Sequence, residues 1–277
     1  MAHDDAFPAA VVCNTLEVSR SAYYAWLDAP ATMREENDML LMPLIRQIFY
    51  RHKRRYGARR IVMELSDMGY TCGVPRASKL LKMQGLKAIQ PKSFKPRTTE
   101  SKHTLGYSPN LLLELEEPER INQLWVGDIT YVPVAENRFL YLAILMDRYS
   151  RRIVGWTLSA DMTEALVITT LRQAIRQRQP GAELIHHTDR GGQYAGKCYR
   201  RILRRADMQQ SMSRAGDCYD NAFMESCFGT MKMELEMTEY ENMQTALNEI
   251  KSYVAYYNTQ RKHSSIGYLT PVQFEGI

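Results

Sequence analysis

The sequence predicts an α/β protein in which a five-stranded mixed sheet with flanking helices follows small helical modules. Three observations lead to this prediction. Apolar residues recur at helical spacing up to about residue 86, β-rich segments alternate with helical ones from residue 122, and a proline-interrupted stretch separates the two patterns. A chain of 277 residues is long enough to bury a core in one domain and to carry a smaller module.

Composition and charge narrow the class of protein. Hydrophobic residues make up 45% of the chain, and no apolar run reaches the roughly 18 residues of a membrane span. Acids near the start, Asp4 and Asp5, stand where a secretory signal would carry positive charge. Five cysteines, without a C-x-x-C pair, argue against disulfides and thiolate zinc sites. We therefore expect a reduced, cytoplasmic protein with no membrane partner.

Positive charge is concentrated in one part of the chain. Between Arg51 and Arg97, thirteen Lys or Arg stand against two acids, which gives a net +11, so the remainder carries −6 of the total of +5. A surface that binds nucleic-acid phosphates has this asymmetry, because neutralised phosphates release counterions. A solvated helical face rich in Lys and Arg is the alternative.

Residues 1–30 are predicted to form a short helix-turn-helix-like segment. Its helices would run from Pro8 to Leu16 and from Ser19 to Leu27, with Ser19 as the N-cap. The second helix would present Arg20 to DNA. Many helical hairpins of this size bind no nucleic acid, and that alternative stays open.

Residues 36–86 are predicted to form a trihelical basic DNA-binding domain. Apolar residues between Leu40 and Phe49 recur at helical spacing, and Pro43 within them predicts a kink or a late helix start. A basic turn, 51–57, follows this helix. A helical dimerisation module is the alternative for this region.

The second helix of this domain is predicted from Ala58 to Met68, with Gly69 after its end, and the third from Pro75 to about Gly85. Arg59 and Arg60 on the second helix are candidate DNA contacts. Residues 87–121 then form a proline-containing linker, basic at first and acidic near its end.

Residues 122–277 are predicted to form a catalytic core with a C-terminal helix and tail. The predicted elements are strands 124–134, 139–146 and 152–159, a helix at 163–178, a strand at 184–187, a helix at 194–206, a strand at 210–213, and helices at about 219–236 and 242–257. This order is that of a ribonuclease-H-like fold.

Three carboxylates are the candidate catalytic residues. Asp128 lies inside the first strand, where an acid among apolar residues is costly unless it is paired or binds a metal. Asp189 ends the fourth strand, a predicted neighbour of the first, and Glu225 lies on a later helix. Three close carboxylates favour hard cations, so we expect two Mg²⁺, for which Mn²⁺ would substitute.

Several polar residues are candidate DNA contacts near these carboxylates. Lys232 follows Glu225 by two helical turns and would share its face, where it would hold a phosphate. Arg190, Gln193 and Tyr194 are expected beside Asp189, where loop packing is the alternative. Further candidates are Arg261 and His263, for which a solvated basic helix end is the alternative.

Other acids and histidines are given structural roles. Asp147 is expected to stabilise a turn, and Asp217 and Asp220 are expected to cap the Glu225 helix. The pair His186 and His187 has no further ligand at zinc spacing, although one of the two would line the active site.

The spacing of these motifs resembles a known family. Thirty-five residues separate Asp189 from Glu225, as in the Asp-Asp-Glu triad of the retroviral integrase superfamily. More narrowly, the chain resembles the second-frame catalytic protein of the insertion-sequence-three family of bacterial transposases. The matching segments are 18–26, 56–61, 125–131, 187–194, 220–232 and 257–271, so the resemblance covers nearly the whole chain.

The resemblance implies a transposase acting on double-stranded DNA. Such enzymes cleave one strand at the end of a mobile element with water and join the released 3′-hydroxyl to another phosphodiester, without a covalent enzyme–DNA bond. Terminal inverted repeats, target DNA, a homo-oligomer of at least two copies, and an upstream first-frame protein or fusion are the expected partners. A ribonuclease H and a catalytically dead repressor are the competing functions.

Overall fold

The computed structural model describes residues 8–90, 106–113, 115–214, 222–237 and 239–277. They belong to two units, one up to Ala88 and one from Ile89 onward. The first is helical, and the second contains a five-stranded mixed sheet with flanking helices, so the predicted fold class is confirmed.

The first unit begins with two short helices, α1 (Ala9–Thr15) and α2 (Arg20–Leu27). Ser19 caps α2, since its hydroxyl accepts a hydrogen bond from the Ala22 amide at 3.1 Å. This confirms the predicted helices and their boundary at the Ser19 cap.

Helix α3 spans Met33–Arg51 and begins earlier than Pro43 suggests. Thr32 and Glu35 form a capping box, in which the Glu35 carboxylate accepts from the Thr32 amide at 2.8 Å and the Thr32 hydroxyl accepts from the Glu35 amide at 3.3 Å. The prediction of a late start was wrong, because these reciprocal bonds begin the helix and a single helix runs through the proline.

Helices α4 (Ala58–Asp67) and α5 (Val74–Met83) complete a trihelical core with α3. Their apolar faces, spaced as expected for amphipathic helices, meet in the interior. The buried residues include Leu41, Ile45, Phe49, Ile61, Leu65, Ala77 and Leu80.

The sheet of the second unit is built from β1 (Leu124–Val134), β2 (Arg138–Asp147), β3 (Ile153–Ser159), β4 (Ile185–Thr188) and β5 (Gln209–Met212). Its order is β3-β2-β1-β4-β5. The first three strands form an antiparallel meander, and β4 and β5 add in parallel beside β1.

Six helices accompany these strands in the described part of the second unit: α6 (Glu164–Arg178), α7 (Gly192–Ala195), α8 (Lys197–Arg205), α9 (Ala222–Glu234), α10 (Met243–Thr259) and α11 (Pro271–Phe274). The single helix predicted at 194–206 is two helices, because Gly196 adopts an extended conformation between α7 and α8.

The two faces of the sheet have separate cores, as the alternation along β1 requires. Val126 and Val132 point to the face covered by α9 and α10, which we call the α9 face. Trp125 points to the opposite face, which α6 and α8 cover.

Both edges of the sheet carry hydrogen bonds from outside the strands. On β3, the Asn258 amide accepts from the backbone N–H of Ile153 and donates to its carbonyl, each at 2.9 Å. On β5, residues 106–113, the edge segment, lie along the strand, and the Met212 amide donates to the Pro109 carbonyl at 3.2 Å.

Within the described ranges, no helix is both long and apolar enough to cross a membrane.

Candidate active site

Asp128 lies in the middle of β1 and is half-buried. Strand alternation places it on the α9 face with Val126 and Val132, and its Oδ1 accepts from the Ile129 amide at 2.8 Å. The preceding residue is glycine because a Cβ on Gly127 would lie 2.5 Å from Leu145 and 3.2 Å from the His186 ring. The backbone beside Asp128 is therefore closely packed on its opposite side.

Asp189 follows β4 directly and is brought to Asp128 by the register of the sheet. Gly127 pairs with Thr188 in the parallel β1–β4 ladder, and the residues that follow them are Asp128 and Asp189, respectively. The Asp189 Oδ1 accepts from the Gly191 amide at 2.9 Å. A Cβ on Gly191 would lie 3.0 Å from this carboxylate, so a glycine permits the tight turn.

Tyr194 interacts electrostatically with both aspartates. Its side chain is 2% exposed and packs edge-on against Tyr199, with ring centroids 5.5 Å apart. Burial raises the pKa of Tyr194 well above its usual range, and the negative charges of Asp128 and Asp189 add to this effect. Both carboxylates are therefore within electrostatic range of one hydroxyl.

Glu225 stands in the first turn of α9, exposed to solvent. The buried residues of this helix, which include Met224 and Phe228, pack on the α9 face, the same face that carries Asp128. Because seven residues span two helical turns, Lys232 lies on the same flank of α9 as Glu225. Lys232 is half-buried, and burial lowers the pKa of its ammonium.

The structure thus brings Asp128 and Asp189 together and places Glu225 on the helix that covers their face of the sheet. Within the described ranges, no three His, Cys, Asp or Glu side chains lie close enough to hold a metal ion. Asp217 and Asp220, the predicted caps of α9, lie outside the described residues.

The two neighbouring histidines face opposite sides of the sheet. The His186 Nε2 lies 2.6 Å from the Tyr199 hydroxyl, and burial, with a smaller effect from His187, lowers the pKa of His186 to about 3. His187 points to the α9 face, where its Nδ1 lies 2.8 Å from the Ser211 hydroxyl. Of the two, only His187 shares the face of the carboxylates.

The loop after Asp189 is held by contacts that the sequence did not indicate. The Arg190 Nε donates to the Ser213 carbonyl at 2.7 Å, and its guanidinium lies over the Tyr107 ring at 4.6 Å. Gln193 donates to the Met162 carbonyl at 3.5 Å. No sequence pattern identifies Tyr107 or Ser211, because they lie far along the chain from Asp189.

Comparisons with known proteins identify the family of this chain. The model of a family described as "Integrase core domain" matches residues 118–218, a second with that description matches 206–271, and an "HTH-like domain" matches 35–94. Transposase InsF for insertion sequence IS3A, from Escherichia coli (strain K12), is 37% identical over 99% of this chain and 96% of that protein. The chain belongs to the IS3-family transposases.

Two further relatives extend the comparison. The insertion element IS600 uncharacterized 31 kDa protein of Shigella sonnei is 40% identical over 95% of this chain and 97% of that protein. A chain of the simian T-cell lymphotropic virus intasome, in complex with PP2A regulatory subunit B56 gamma, aligns at a TM-score of 0.50 and 16% identity, over 84% of this chain and 74% of that one. That likeness shows the ribonuclease-H-like fold alone.

Membership of this family makes the chain a DDE-type transposase, a polynucleotidyl transferase that binds DNA. In the helical unit of the transposase, Arg20 and Arg59 are exposed. Arg60 is half-buried, with its guanidinium 5.4 Å from the centre of the Tyr56 ring and 3.5 Å from the Arg55 carbonyl.

The C-terminal candidates, Arg261 and His263, have a different environment from the one expected for DNA contacts. Arg261 is 4% exposed and pairs with buried Glu234, with NH2 to Oε1 at 2.7 Å and Nε to Oε1 at 2.9 Å. Burial disfavours this charge, yet Glu234 raises the pKa of Arg261 above its ordinary value. His263 is also buried, against Tyr257. We propose a structural role for both residues in place of DNA contact.

Asp147 has the structural role that its turn position predicts. Its carboxylate is buried and accepts hydrogen bonds from the backbone amides of Asn122, Tyr149 and Ser150 at 2.7, 3.0 and 3.1 Å. Burial raises the pKa of Asp147 despite these bonds. The residue therefore holds the β2–β3 turn.

Proposed function

We propose that this transposase cleaves one strand at the ends of its mobile element with water and then joins the released 3′-hydroxyl to another phosphodiester. The observation that carries this proposal is the register of β1 and β4, which sets Asp128 beside Asp189. Glu225, on the helix packed over the same face, is the third member of the proposed triad.

The donor set of this site fits a pair of hard divalent cations. Two adjacent aspartates repel each other unless positive charge compensates them, and their oxygens are the ligands that Mg²⁺ prefers, with Mn²⁺ as a substitute. We propose Asp128, Asp189 and Glu225 as the residues that would hold two such ions. When bound, the ions would activate the attacking oxygen and stabilise the leaving oxygen of an in-line phosphoryl transfer.

The protein's own side chains would position the DNA strand. Lys232 shares a flank of α9 with Glu225, so its ammonium is suited to hold a phosphate beside the triad. Arg190 and Gln193, half-buried after Asp189, are proposed as further contacts. Tyr194 is buried, and we assign it to packing behind the carboxylates in place of the expected DNA contact.

Direct transfer without a covalent enzyme–DNA intermediate is consistent with this arrangement. A covalent mechanism requires a nucleophilic side chain that can reach a phosphodiester. The Tyr194 hydroxyl interacts electrostatically with both aspartates, but it is buried against Tyr199 and so is not offered to a phosphodiester. Water and the 3′-hydroxyl of DNA are therefore the proposed nucleophiles.

The helical unit would recognise the element ends. We propose 36–86 as the DNA-binding domain, with Arg59 and Arg60 contacting terminal inverted repeats, and Arg20 of the 1–30 segment as an additional contact. Residues 87–121 would link it to the core at 122–277. Two ends must be joined in one assembly, so we propose at least a dimer, acting with an upstream first-frame protein or fusion in the bacterial cytoplasm, where its DNA lies.

The test is an Asp189→Asn variant in a cleavage assay on labelled linear DNA that carries the element's ends, with Mg²⁺ or with EDTA. We expect a loss of about 10³-fold or more in cleavage, because the site would lose several kcal/mol of transition-state stabilisation, with DNA binding retained. The assay would use the chain alone and the chain fused to its first-frame partner.

A matched control is Asp161→Asn, which changes an exposed acid of the same unit and should leave cleavage intact. Normal cleavage by Asp189→Asn would contradict the assignment of the triad. Binding of element ends without cleavage by any form of the wild-type chain would favour the repressor.

A further inference from the structure

The edge segment, residues 106–113, contacts the same loop that carries Asp189. It precedes the catalytic core in sequence and has no strand of its own within the described ranges, yet it packs along β5. Three separate chains of contacts connect it to residues next to the proposed triad.

The first connection is a cation–π contact. The guanidinium of Arg190, the residue directly after Asp189, lies over the ring of Tyr107 at 4.6 Å. On its other side, the Arg190 Nε donates to the Ser213 carbonyl at 2.7 Å, and the Ser213 amide in turn donates to the Thr188 carbonyl at 3.0 Å. Tyr107 therefore fixes a side chain whose backbone is continuous with Asp189.

The second connection runs through buried Ser211 on β5. The Leu111 amide donates to the Ser211 hydroxyl at 3.0 Å, and this hydroxyl lies 2.8 Å from the Nδ1 of His187. His187 points to the α9 face, two residues before Asp189. Ser211 therefore links the edge segment to His187 near the end of β4, just before Asp189.

The third connection reaches Tyr194 in α7, just beyond the loop that follows Asp189. The Ser108 hydroxyl donates to the Gln210 Oε1 at 2.9 Å, and the Gln210 Nε2 donates to the Tyr194 carbonyl at 2.7 Å. Contacts from the edge segment therefore meet residues before, directly after and beyond Asp189.

We propose that Tyr107 is a positioning residue for strand cleavage, acting through Arg190 on residues 189–195. This inference rests on the proposed function of Asp189. Asp189 directly follows the last residue of β4, so contacts around the next residue, Arg190, help to set the position of its carboxylate. A misplacement of about 1 Å can lower the rate of a transfer reaction by up to about 10²-fold, so an outer contact of modest strength affects the rate.

The test compares Tyr107→Ala with Tyr107→Phe in the full chain, measured as single-turnover cleavage at saturating element-end DNA. Tyr107→Ala should lower the rate about fivefold to tenfold, because a partly exposed cation–π contact is lost. Tyr107→Phe keeps the aromatic face and should retain most of the activity. Phe139→Ala, which removes an exposed ring elsewhere on the sheet, is the matched control and should leave the rate unchanged.

A double-mutant cycle separates positioning through Arg190 from general destabilisation. If Tyr107 acts through Arg190, adding Tyr107→Ala to Arg190→Ala lowers the rate no further. A full, additive loss in the double variant, or wild-type activity in Tyr107→Ala, would overturn the inference.

Hydrogen–deuterium exchange supplies a measurement that requires no DNA. Amides of residues 189–195 should exchange faster in Tyr107→Ala than in Phe139→Ala, at equal melting temperatures, and equal exchange in the two variants would refute the positioning role. If the wild-type chain fails to cleave DNA, the proposed function fails, whereas the exchange comparison still decides whether Tyr107 holds the loop.

Discussion

The start of α4 and the basic stretch at 261–263 each contain an arginine, and the two arginines lie in opposite environments. In the first, Arg59 stands exposed at the start of α4, in the unit matched by the HTH-like family. In the second, Arg261 is buried with both its Nε and NH2 on Glu234, and the Tyr253 hydroxyl donates to the same carboxylate at 3.1 Å.

This difference shows that the local density of positive charge does not determine whether an arginine is exposed. An exposed guanidinium can neutralise a DNA phosphate, and the cations condensed on that phosphate are then released. A buried guanidinium that pairs with an internal carboxylate is not available to DNA. Here the Arg261–Glu234 pair connects the residue just after α10 to the end of α9. The two kinds of arginine predict opposite outcomes for the same substitution.

The largest effect is expected for Arg261→Ala, which should lower the free energy of unfolding by about 3–5 kcal/mol, because it leaves Glu234 buried without its ion-pair partner. Thermal or urea unfolding of the full chain measures this loss. Arg138→Ala is the control, since Arg138 and its partner Glu136 are both largely exposed, and it should change stability by less than about 1 kcal/mol. A stable Arg261→Ala variant with weakened DNA binding would reverse our assignment.

A smaller loss, about 1–3 kcal/mol at neutral pH, is expected for Glu275→Gln, which removes the charge that Arg178 and Ser150 bind at 2.7 Å each. Burial alone would raise the pKa of Glu275, but hydrogen bonds from Arg178, Ser150 and Arg152 lower it below 4.5. The ionised carboxylate therefore stabilises the fold above about pH 4.5, and this contribution disappears as the pH falls through the lowered pKa.

Unfolding curves at several pH values test this linkage. The difference between wild type and Glu275→Gln should be full at pH 7 and should shrink as the pH falls below 4.5. A difference that stays constant down to strongly acidic pH would show that the ion pairs contribute nothing.

The smallest effect is expected for Arg59→Ala, which should leave stability unchanged and weaken DNA binding by a similar factor on all sequences. Loss of one phosphate contact should reduce the slope of log K against log salt by about 1. Fluorescence anisotropy at several salt concentrations measures this slope. Arg34→Ala, an exposed arginine outside the basic segment, should leave it unchanged, and equal slopes for all three proteins would exclude Arg59 as a contact.

Local patterns were sufficient for most of the fold. Strand β1 was predicted with its observed bounds, because its period and β-branched residues leave little ambiguity. The start of α3 was missed although its signature, Thr32 followed three residues later by Glu35, is present in the sequence. The observed helix begins at this cap and continues through Pro43.

Long-range pairings were beyond sequence reasoning. Glu234 and Arg261 are 27 residues apart, and nothing local distinguishes this arginine from an exposed one. The same holds for Tyr107 and Arg190, which the packing of the edge segment brings together. The proximity of Asp128 and Asp189 could be predicted because it follows from strand order, whereas the paths of the connecting segments do not.

The occupied edges of the sheet have a consequence for assembly. In the proposed dimer on DNA, an open strand edge would risk pairing with a strand of the neighbouring copy. Asn258 fills the hydrogen-bonding groups of Ile153 on one edge, and the Pro109 carbonyl accepts from Met212 on the other. These bonds disfavour strand-to-strand pairing at those positions, so we expect the proposed dimer to meet through helices and loops.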